Sequence, residues 1–169
     1  MPTTRFITLV NGIQSEVVPA TSSAGAATAG QVIALNAAGQ LDSTMLPAGT
    51  GLDTTTAVTS AAISAGQMVN LYNNAGVLTA RPADCTTTGS EANAYALSAF
   101  GSGVTGTFYL AGNVTGMSGL TPGSIYFLST VGAVTLTPTS TAGSINQIVG
   151  KSLSTTSLAF APQQYTVLA

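Results

Sequence analysis

One short phrase occurs three times in this 169-residue chain. Its copies are AGQVIALNAAGQL (Ala29–Leu41), AGQMVNLYNNAGVL (Ala65–Leu78) and LTPGSIYFLSTVGAV (Leu120–Val134). In each copy a glycine opens a short apolar run, a second glycine marks a tight turn, and an apolar residue follows. Glycine supplies the positive φ that hairpin turns require. Each copy therefore predicts a strand, a turn and a second strand.

The segments after Ala57 extend this strand pattern to the end of the chain. Short apolar runs such as QMVNLYN, TGTFYLAG, SIYFLS and SLAFAP are separated by Gly, Pro, Asn or Thr at intervals of about ten residues. No segment shows the 3.6-residue period of an amphipathic helix. The sequence predicts an all-β protein whose compact domain, residues 57–169, is a small antiparallel β-sandwich or barrel.

The first 56 residues have a different character and predict an extended N-terminal arm. The segment Arg5–Val18 alternates apolar and polar residues around Asn-Gly, which predicts a β-hairpin. The small-residue stretch Pro19–Gly30 has little to bury and is typical of a flexible linker. A short helical turn is predicted over Ser43–Leu46, capped by Asp42 and ended by proline. A second linker is placed over Ala48–Thr56.

The low charge content excludes several classes of partner. Only 5% of the residues are Asp, Glu, Lys or Arg, and the net charge is −2. Binding a phosphate backbone needs clustered cations, so nucleic acid is not an expected partner. Mean hydropathy is +0.43, but every apolar run is too short to span a membrane, and Phe6–Val10 is too short for a secretion signal. A surface with so few charges favours self-association.

The residue inventory argues against catalysis. The chain has no histidine and a single cysteine, Cys85, so the usual general base and the usual zinc ligands are missing. We expect Cys85 to be a buried small residue. Asp84 and Glu91 could form a glycosidase-like acid pair, but two polar loop residues are the simpler interpretation, and Arg81 could pair with either. The tripeptide Gly150-Lys151-Ser152 lacks the earlier glycine of a phosphate-binding loop. No catalytic, cofactor-binding or metal-binding residue is predicted.

Two kinds of residue are candidates for an interface instead. The adjacent pairs Phe108-Tyr109 and Tyr126-Phe127 lie in predicted strands, where neighbouring side chains point to opposite faces. One member of each pair should leave the core of its own subunit, and we take Tyr109 and Tyr126 as the candidates. In the arm, Ala26 and Ala27 are small enough to let another backbone approach closely.

Parts of the sequence are similar to virion proteins of tailed bacteriophages. The stretch GQVIALNAAGQLDSTMLP resembles a phrase common near the N-termini of such proteins. The blocks Ala65–Pro138 and Ile145–Phe160 resemble β-modules of capsid decoration (cement) proteins, head fibres and some tail fibres. The resemblance covers Gly30–Phe160. It implies a homotrimer without catalytic residues or cofactors that binds the major capsid protein and is located on the capsid surface of the virion.

Three functions compete at this point. The first is a non-enzymatic decoration or head-fibre protein that stabilises the capsid shell, with the arm as its attachment. The short length favours it over the second, a tail-fibre or carbohydrate-binding module. That second function would need exposed aromatic side chains beside Asn, Asp or Arg in a groove, and the chain has no tryptophan. The third is a small hydrolase, against which the missing histidine counts.

Overall fold

The computed structural model describes residues 5–46 and 53–169, and it confirms the all-β prediction. The chain divides into two compact units, Met1–Gly51 and Leu52–Ala169. Fourteen strands are described in these ranges: β1 Phe6–Val10, β2 Ile13–Val17, β3 Thr54–Thr59, β4 Met68–Asn74, β5 Val77–Pro82, β6 Ala94–Tyr95, β7 Thr105–Tyr109, β8 Gly112–Thr115, β9 Ile125–Leu128, β10 Val134–Thr135, β11 Ile145–Asn146, β12 Ile148–Ser152, β13 Ser157–Phe160 and β14 Thr166–Val167.

The described part of the first unit consists of a β-hairpin followed by irregular chain. Strands β1 and β2 pair from Phe6↔Val17 to Val10↔Ile13. The turn between them places Asn11 at φ 52° and Gly12 at φ 79°, the two positive angles that a type I′ turn needs. The predicted hairpin is confirmed. The predicted helical turn is present as a 3-10 helix over Ser43–Met45.

The small-residue stretch and the first copy of the repeated phrase depart from their predictions. A 3-10 helix forms over Gly25–Thr28, within the predicted linker. The first copy contributes only one bridge, a parallel contact between Ala20 and Ile33. Its turn is held locally, because Asn36 Oδ1 accepts hydrogen bonds from the backbone N–H groups of Ala38 and Gln40, at 2.9 and 3.0 Å. The prediction of a hairpin there is wrong.

The second unit contains a closed five-stranded barrel in the order β3-β5-β4-β6-β7. The second copy of the phrase forms the β4–β5 hairpin, with Ala75 at φ 50° and Gly76 at φ 89° in its turn. All pairings in the barrel are antiparallel except β3 with β5. The predicted boundary after Thr56 falls inside β3, and residues 48–52 of the predicted linker lie outside the described residues. Thr54–Thr56 form strand and not linker.

A five-stranded antiparallel sheet, β10-β9-β12-β13-β8, completes most of the second unit, together with the short β11–β14 pair. The third copy of the phrase forms the β9–β10 hairpin of this sheet. The barrel and the sheet share a hydrophobic core, because successive side chains of a barrel strand point to opposite faces of that strand. Met68 joins a core cluster with Tyr126 and Leu158 of the sheet, whereas its neighbour Val69 joins a cluster made of barrel residues. That second cluster is rich in alanine, as expected for the narrow interior of a small barrel.

Candidate interaction surfaces

The first unit exposes an unusual amount of apolar side-chain surface. Of the side chains described before Asp53, none that is hydrophobic is buried, whereas ten large hydrophobic ones are exposed. We call this set the apolar arm surface; it comprises Phe6, Ile7, Leu9, Ile13, Val18, Val32, Ile33, Leu35, Leu41 and Leu46. Exposed apolar side chains concentrated in one charge-poor segment indicate an interaction site more strongly than scattered single ones do. An isolated two-stranded hairpin is also only marginally stable in water.

The charges of the hairpin are paired within it. Arg5 Nη1 donates to Glu16 Oε2 at 3.0 Å across the two strands, and both side chains are exposed. An exposed pair of this kind contributes well under ~1 kcal/mol to stability. Its consequence for binding is that the hairpin presents no unpaired charge that a partner would have to match.

Ala26 and Ala27 are exposed, as an attachment site requires. They lie in the 3-10 helix Gly25–Thr28, whose fold is held by Thr28: its hydroxyl donates to Gly25 O at 3.0 Å and accepts from Ala24 N at 3.2 Å. The backbone here is therefore helical and not extended. A cavity of about 230 Å³ lies beside this turn, lined by residues that include Ala20, Thr28, Ile33 and Met45.

Of the two tyrosine candidates, Tyr126 is buried, and Tyr109 is partly exposed but packs against the core. Phe108 is fully buried and Tyr109 is half-buried. Tyr109 stacks on the buried ring of Tyr95, with ring centroids 5.3 Å apart, so one of its faces is covered. Tyr126 is only 4% exposed, and its hydroxyl accepts a hydrogen bond from Thr121 N at 2.8 Å. Tyr126 is therefore a core residue, and its neighbour Phe127 is the half-buried one.

Arg81 does not pair with either nearby carboxylate. Its Nε donates to Asn70 Oδ1 and its Nη2 to Gly89 O, both at 2.9 Å. The guanidinium also lies 4.4 Å from the centroid of the Tyr72 ring, a cation–π distance. These contacts use the cation to join β4, β5 and the following loop. The suggested ion pair with Asp84 or Glu91 is absent from the described residues, in which Arg5–Glu16 is the ion pair found.

Asp84 organises a loop and Cys85 is buried behind it. Partial burial acts to raise the pKa of Asp84, but hydrogen bonds from the Thr86 hydroxyl and the backbone N–H groups of Thr86 and Val131 outweigh it, so the pKa is lowered. Burial and the neighbouring Asp84 charge both raise the pKa of the Cys85 thiol. A buried thiol with a raised pKa is a poor nucleophile. The expected burial of Cys85 is confirmed.

The tripeptide Gly150-Lys151-Ser152 lies in strand β12. Gly150 faces Phe160 on one neighbouring strand and Tyr126 on the other. A strand position between two paired neighbours cannot form the loop that wraps a phosphate.

Among residues 5–46 and 53–169, no group of three or more His, Cys, Asp and Glu side chains could hold a metal ion. Within those same ranges, no helix has the length and apolarity needed to cross a membrane.

Sequence reasoning did not identify one further surface, a cleft of about 250 Å³ in the second unit. Its lining consists of Phe127, Asn146, Ile148, Gln163, Gln164 and Thr166, and we call it the amide cleft. Four of these residues sit on strands of two different sheets, so only the tertiary pairing brings them together. The Gln163-Gln164 doublet was the one local signal of a polar cluster.

Comparisons with known proteins give a structural likeness but no sequence match. No protein-family model matches the sequence, and no curated protein sequence matches it. The fold is similar to a crystal structure of the N base of head fibre gp8.5 in bacteriophage phi29, with a TM-score of 0.46 and 13% sequence identity. The likeness covers 66% of this chain and 95% of the phage chain.

Proposed function

We propose that this protein is a non-enzymatic structural protein of a bacteriophage virion that attaches to the capsid shell through its first unit. The resemblance of Gly30–Phe160 to virion β-modules supports the phage assignment. The apolar arm surface supports attachment, and it is the observation that carries the proposal. Its occupants are the major capsid protein and, at the hairpin, the other copies of this chain, which form a homotrimer of decoration or head-fibre type.

The size of the apolar arm surface fits this role. Ten partly exposed side chains of this kind amount to on the order of 500–800 Å² of apolar surface. A stable protein–protein interface buries about 800 Å² on each partner. The first unit therefore carries enough apolar surface to account for a specific interface, although its own described residues bury none of it.

The low charge of the first unit predicts how attachment responds to salt. The described residues before Asp53 hold one ion pair, Arg5–Glu16, and one further carboxylate, Asp42. Salt mainly weakens interactions between exposed charges, and the Debye length falls several-fold between about 0.05 and 1 M. Binding through apolar burial should change little over that range.

Co-sedimentation with capsids stripped of this protein tests the proposal. We expect the wild-type chain to sediment with the capsids across the salt range, and cryo-electron microscopy of the complexes to place it on the shell. Ala26→Lys and Ala27→Lys, which put a charge on an exposed turn of the first unit, should weaken attachment while the second unit stays folded. Ala161→Lys, an exposed alanine of the second unit, is the matched control and should bind normally.

Two results would contradict the proposal. A steep loss of binding with salt would show that charges rather than apolar contacts hold the protein. Equal binding by all three lysine variants, together with cryo-electron microscopy density for the protein on the tail instead of the shell, would rule out the capsid role. The protein would then be a module of a tail appendage.

A further inference from the structure

The amide cleft is built from side chains that strand alternation turns outward. Tyr126 and Leu128 point into the core, so Phe127 between them points away from it. Gln147 is buried as well, so Asn146 and Ile148 on either side of it face outward. Register then joins these residues into one surface.

Two cross-strand pairs form the walls. Phe127 lies directly opposite Ile148 in the β9–β12 ladder, which makes an apolar platform of a ring and an aliphatic side chain. Asn146 lies directly opposite Thr166 in the β11–β14 ladder, which places an amide beside a hydroxyl. Residues directly opposite one another share a face of their sheet, and all four of these side chains border the same cleft.

The polar wall contains a hydrogen-bond acceptor without a donor. Asn146 Oδ1 is buried and accepts no hydrogen bond from any residue in the described ranges. A buried acceptor without a partner is uncommon in folded proteins and calls for an explanation. Asn146 lines the cleft, so rotation of its side chain toward the cleft would bring this oxygen within reach of a donor on a ligand.

The loop that completes the cleft is held in place by its backbone. Gln163 N donates to Ile148 O at 2.9 Å, and Gln163 O accepts from the buried Gln147 Nε2 at 3.1 Å. Both backbone groups of Gln163 are thus occupied, whereas the Gln163 and Gln164 side chains are exposed and border the cleft. The backbone of this loop is therefore fixed, and the two side-chain amides are free to bond a ligand.

We propose that the amide cleft binds a neutral carbohydrate. No charged side chain lines it, so an anionic or cationic ligand would find no counter-charge. Three carboxamides and a hydroxyl offer both donors and acceptors, which match the hydroxyl groups of a sugar. The half-exposed Phe127 ring and Ile148 offer an apolar platform for the C–H face of the sugar ring. A volume of about 250 Å³ lies below the range of drug-sized pockets and suits one or two sugar rings.

Nuclear magnetic resonance of the full-length protein tests this assignment directly. The probes are maltotriose and N,N′,N″-triacetylchitotriose as neutral sugars, a heparin tetrasaccharide as an anionic one, and a polyglutamine peptide as a non-sugar source of hydrogen bonds. With either neutral probe at millimolar concentration, we expect shifts in the side-chain amide signals of Asn146, Gln163 and Gln164. Saturation transferred from the Phe127 ring should also reach the sugar protons.

Substitutions locate the binding. Asn146→Ala and Gln164→Ala remove hydrogen-bonding groups and should weaken neutral-sugar binding about tenfold or more, equivalent to roughly 1.4 kcal/mol for each tenfold step. Phe127→Leu keeps the apolar volume but removes the ring, and it should lose the saturation-transfer signal. Gln14→Ala, an exposed glutamine of the hairpin, is the matched control and should bind as the wild type does. The backbone spectrum of each variant checks that it is folded.

The outcomes separate clearly. Binding of a neutral probe that Asn146→Ala and Gln164→Ala weaken, and Gln14→Ala does not, supports the site. The proposal is overturned by unperturbed cleft amides with both neutral probes at 20 mM, a concentration of about the weakest useful sugar affinity. Preference for the heparin tetrasaccharide or the peptide overturns it as well. Capsid attachment through the first unit is independent of all these results.

Discussion

The side chain of Gln147 and the backbone of Ala92 hydrogen-bond to each other in both directions. Gln147 Oε1 accepts from Ala92 N at 2.8 Å, and Gln147 Nε2 donates to Ala92 O at 2.9 Å. Gln147 is 3% exposed and Ala92 is 1% exposed. The carboxamide therefore acts as an additional peptide group, and it ties the chain before the barrel strand β6 to the junction between β11 and β12.

Replacing Gln147 with leucine should destabilise the second unit by about 3 kcal/mol, because the buried N–H and C=O of Ala92 would lose their partners and neither can reach water. Urea denaturation followed by circular dichroism measures the change. Gln164→Leu, which alters an exposed glutamine of the same unit, is the control and should stay within about 0.5 kcal/mol of the wild type. Equal stability of the two variants would mean that the clamp contributes little.

Gly150 should tolerate no side chain. A Cβ added there would lie 2.0 Å from Ala159 O and 2.8 Å from a methyl group of Leu158. Both are held by strand pairing, so the sheet would have to separate locally. We expect Gly150→Ala to cost about 3 kcal/mol of unfolding free energy. Gly101→Ala meets no atom within 4 Å and serves as the control in the same thermal melts; a similar melting temperature for both variants would refute the close approach.

The start of the second unit can be located by truncation. A chain beginning at Leu52 should keep its β-rich circular dichroism and cooperative melt, since the cores consist of residues from Ala57 onward. A chain beginning at Ala57 lacks Thr54–Thr56, which pair with Thr107–Tyr109 of β7, and it should melt at a clearly lower temperature. Identical melts would show that the first half of β3 is dispensable, whereas unfolding of the longer chain would place the first unit in the core.

The hairpins show what local sequence can predict. The turns at Asn11-Gly12 and Ala75-Gly76 form as expected because a pair of residues with positive φ is enough to reverse the chain. The same phrase fails over Ala29–Leu41, where Asn36 bonds its own loop and a single bridge, Ala20↔Ile33, replaces a ladder. A hairpin needs two flanking strands that pair, as β1 and β2 do, and the phrase specifies only the turn.

The sequence alone does not predict which side chains of an apolar strand face the core, or which distant strands pair. In the run Ile125–Leu128 every residue is apolar, so alternation predicts that Tyr126 and Phe127 face opposite ways but not which of them is buried. The parallel pairing of β3 with β5 joins segments that no local signal connects. The amide cleft depends on both kinds of information. Phe127 and Asn146 face outward on their strands, and β9 pairs with β12 while β11 pairs with β14.

Acid should weaken the second unit partly through Asp84. Its pKa is lowered in the folded state, so its contribution to stability is complete above the unfolded value near 3.8 and is lost as the pH falls through the folded pKa. Asp84→Asn keeps the shape but removes the charge that Thr86 and Val131 stabilise. The wild type should melt above this variant at pH 7, and the difference should shrink at pH 3. A difference that does not change with pH would assign the effect to shape alone.

Self-association should depend on the apolar face of the hairpin. Ile7 and Leu9 are 72% and 69% exposed and lie two residues apart on β1, so they project from the same face. The hairpin's charges are paired with each other, and copies of a charge-poor surface repel one another little. Burying one such side chain contributes about 1.5–3 kcal/mol, and association must overcome roughly 4–15 kcal/mol, so several side chains of each copy have to be buried together. Since the resemblance to virion proteins implies a homotrimer, we expect the isolated protein at micromolar concentration to have three times the chain mass of 16.7 kDa.

Multi-angle light scattering of matched variants measures this dependence. Ile7→Thr combined with Leu9→Thr keeps two strand-forming residues but removes the apolar contact, and it should shift the mass toward that of one chain. Val77→Thr makes the same kind of change at a 54%-exposed position of β5 and should leave the trimer intact. A wild-type protein that is monomeric at 16.7 kDa would end the trimer proposal. If instead the wild type is trimeric and Val77→Thr alone dissociates it, copies of the chain associate through the barrel, and the apolar arm surface remains entirely available to the capsid.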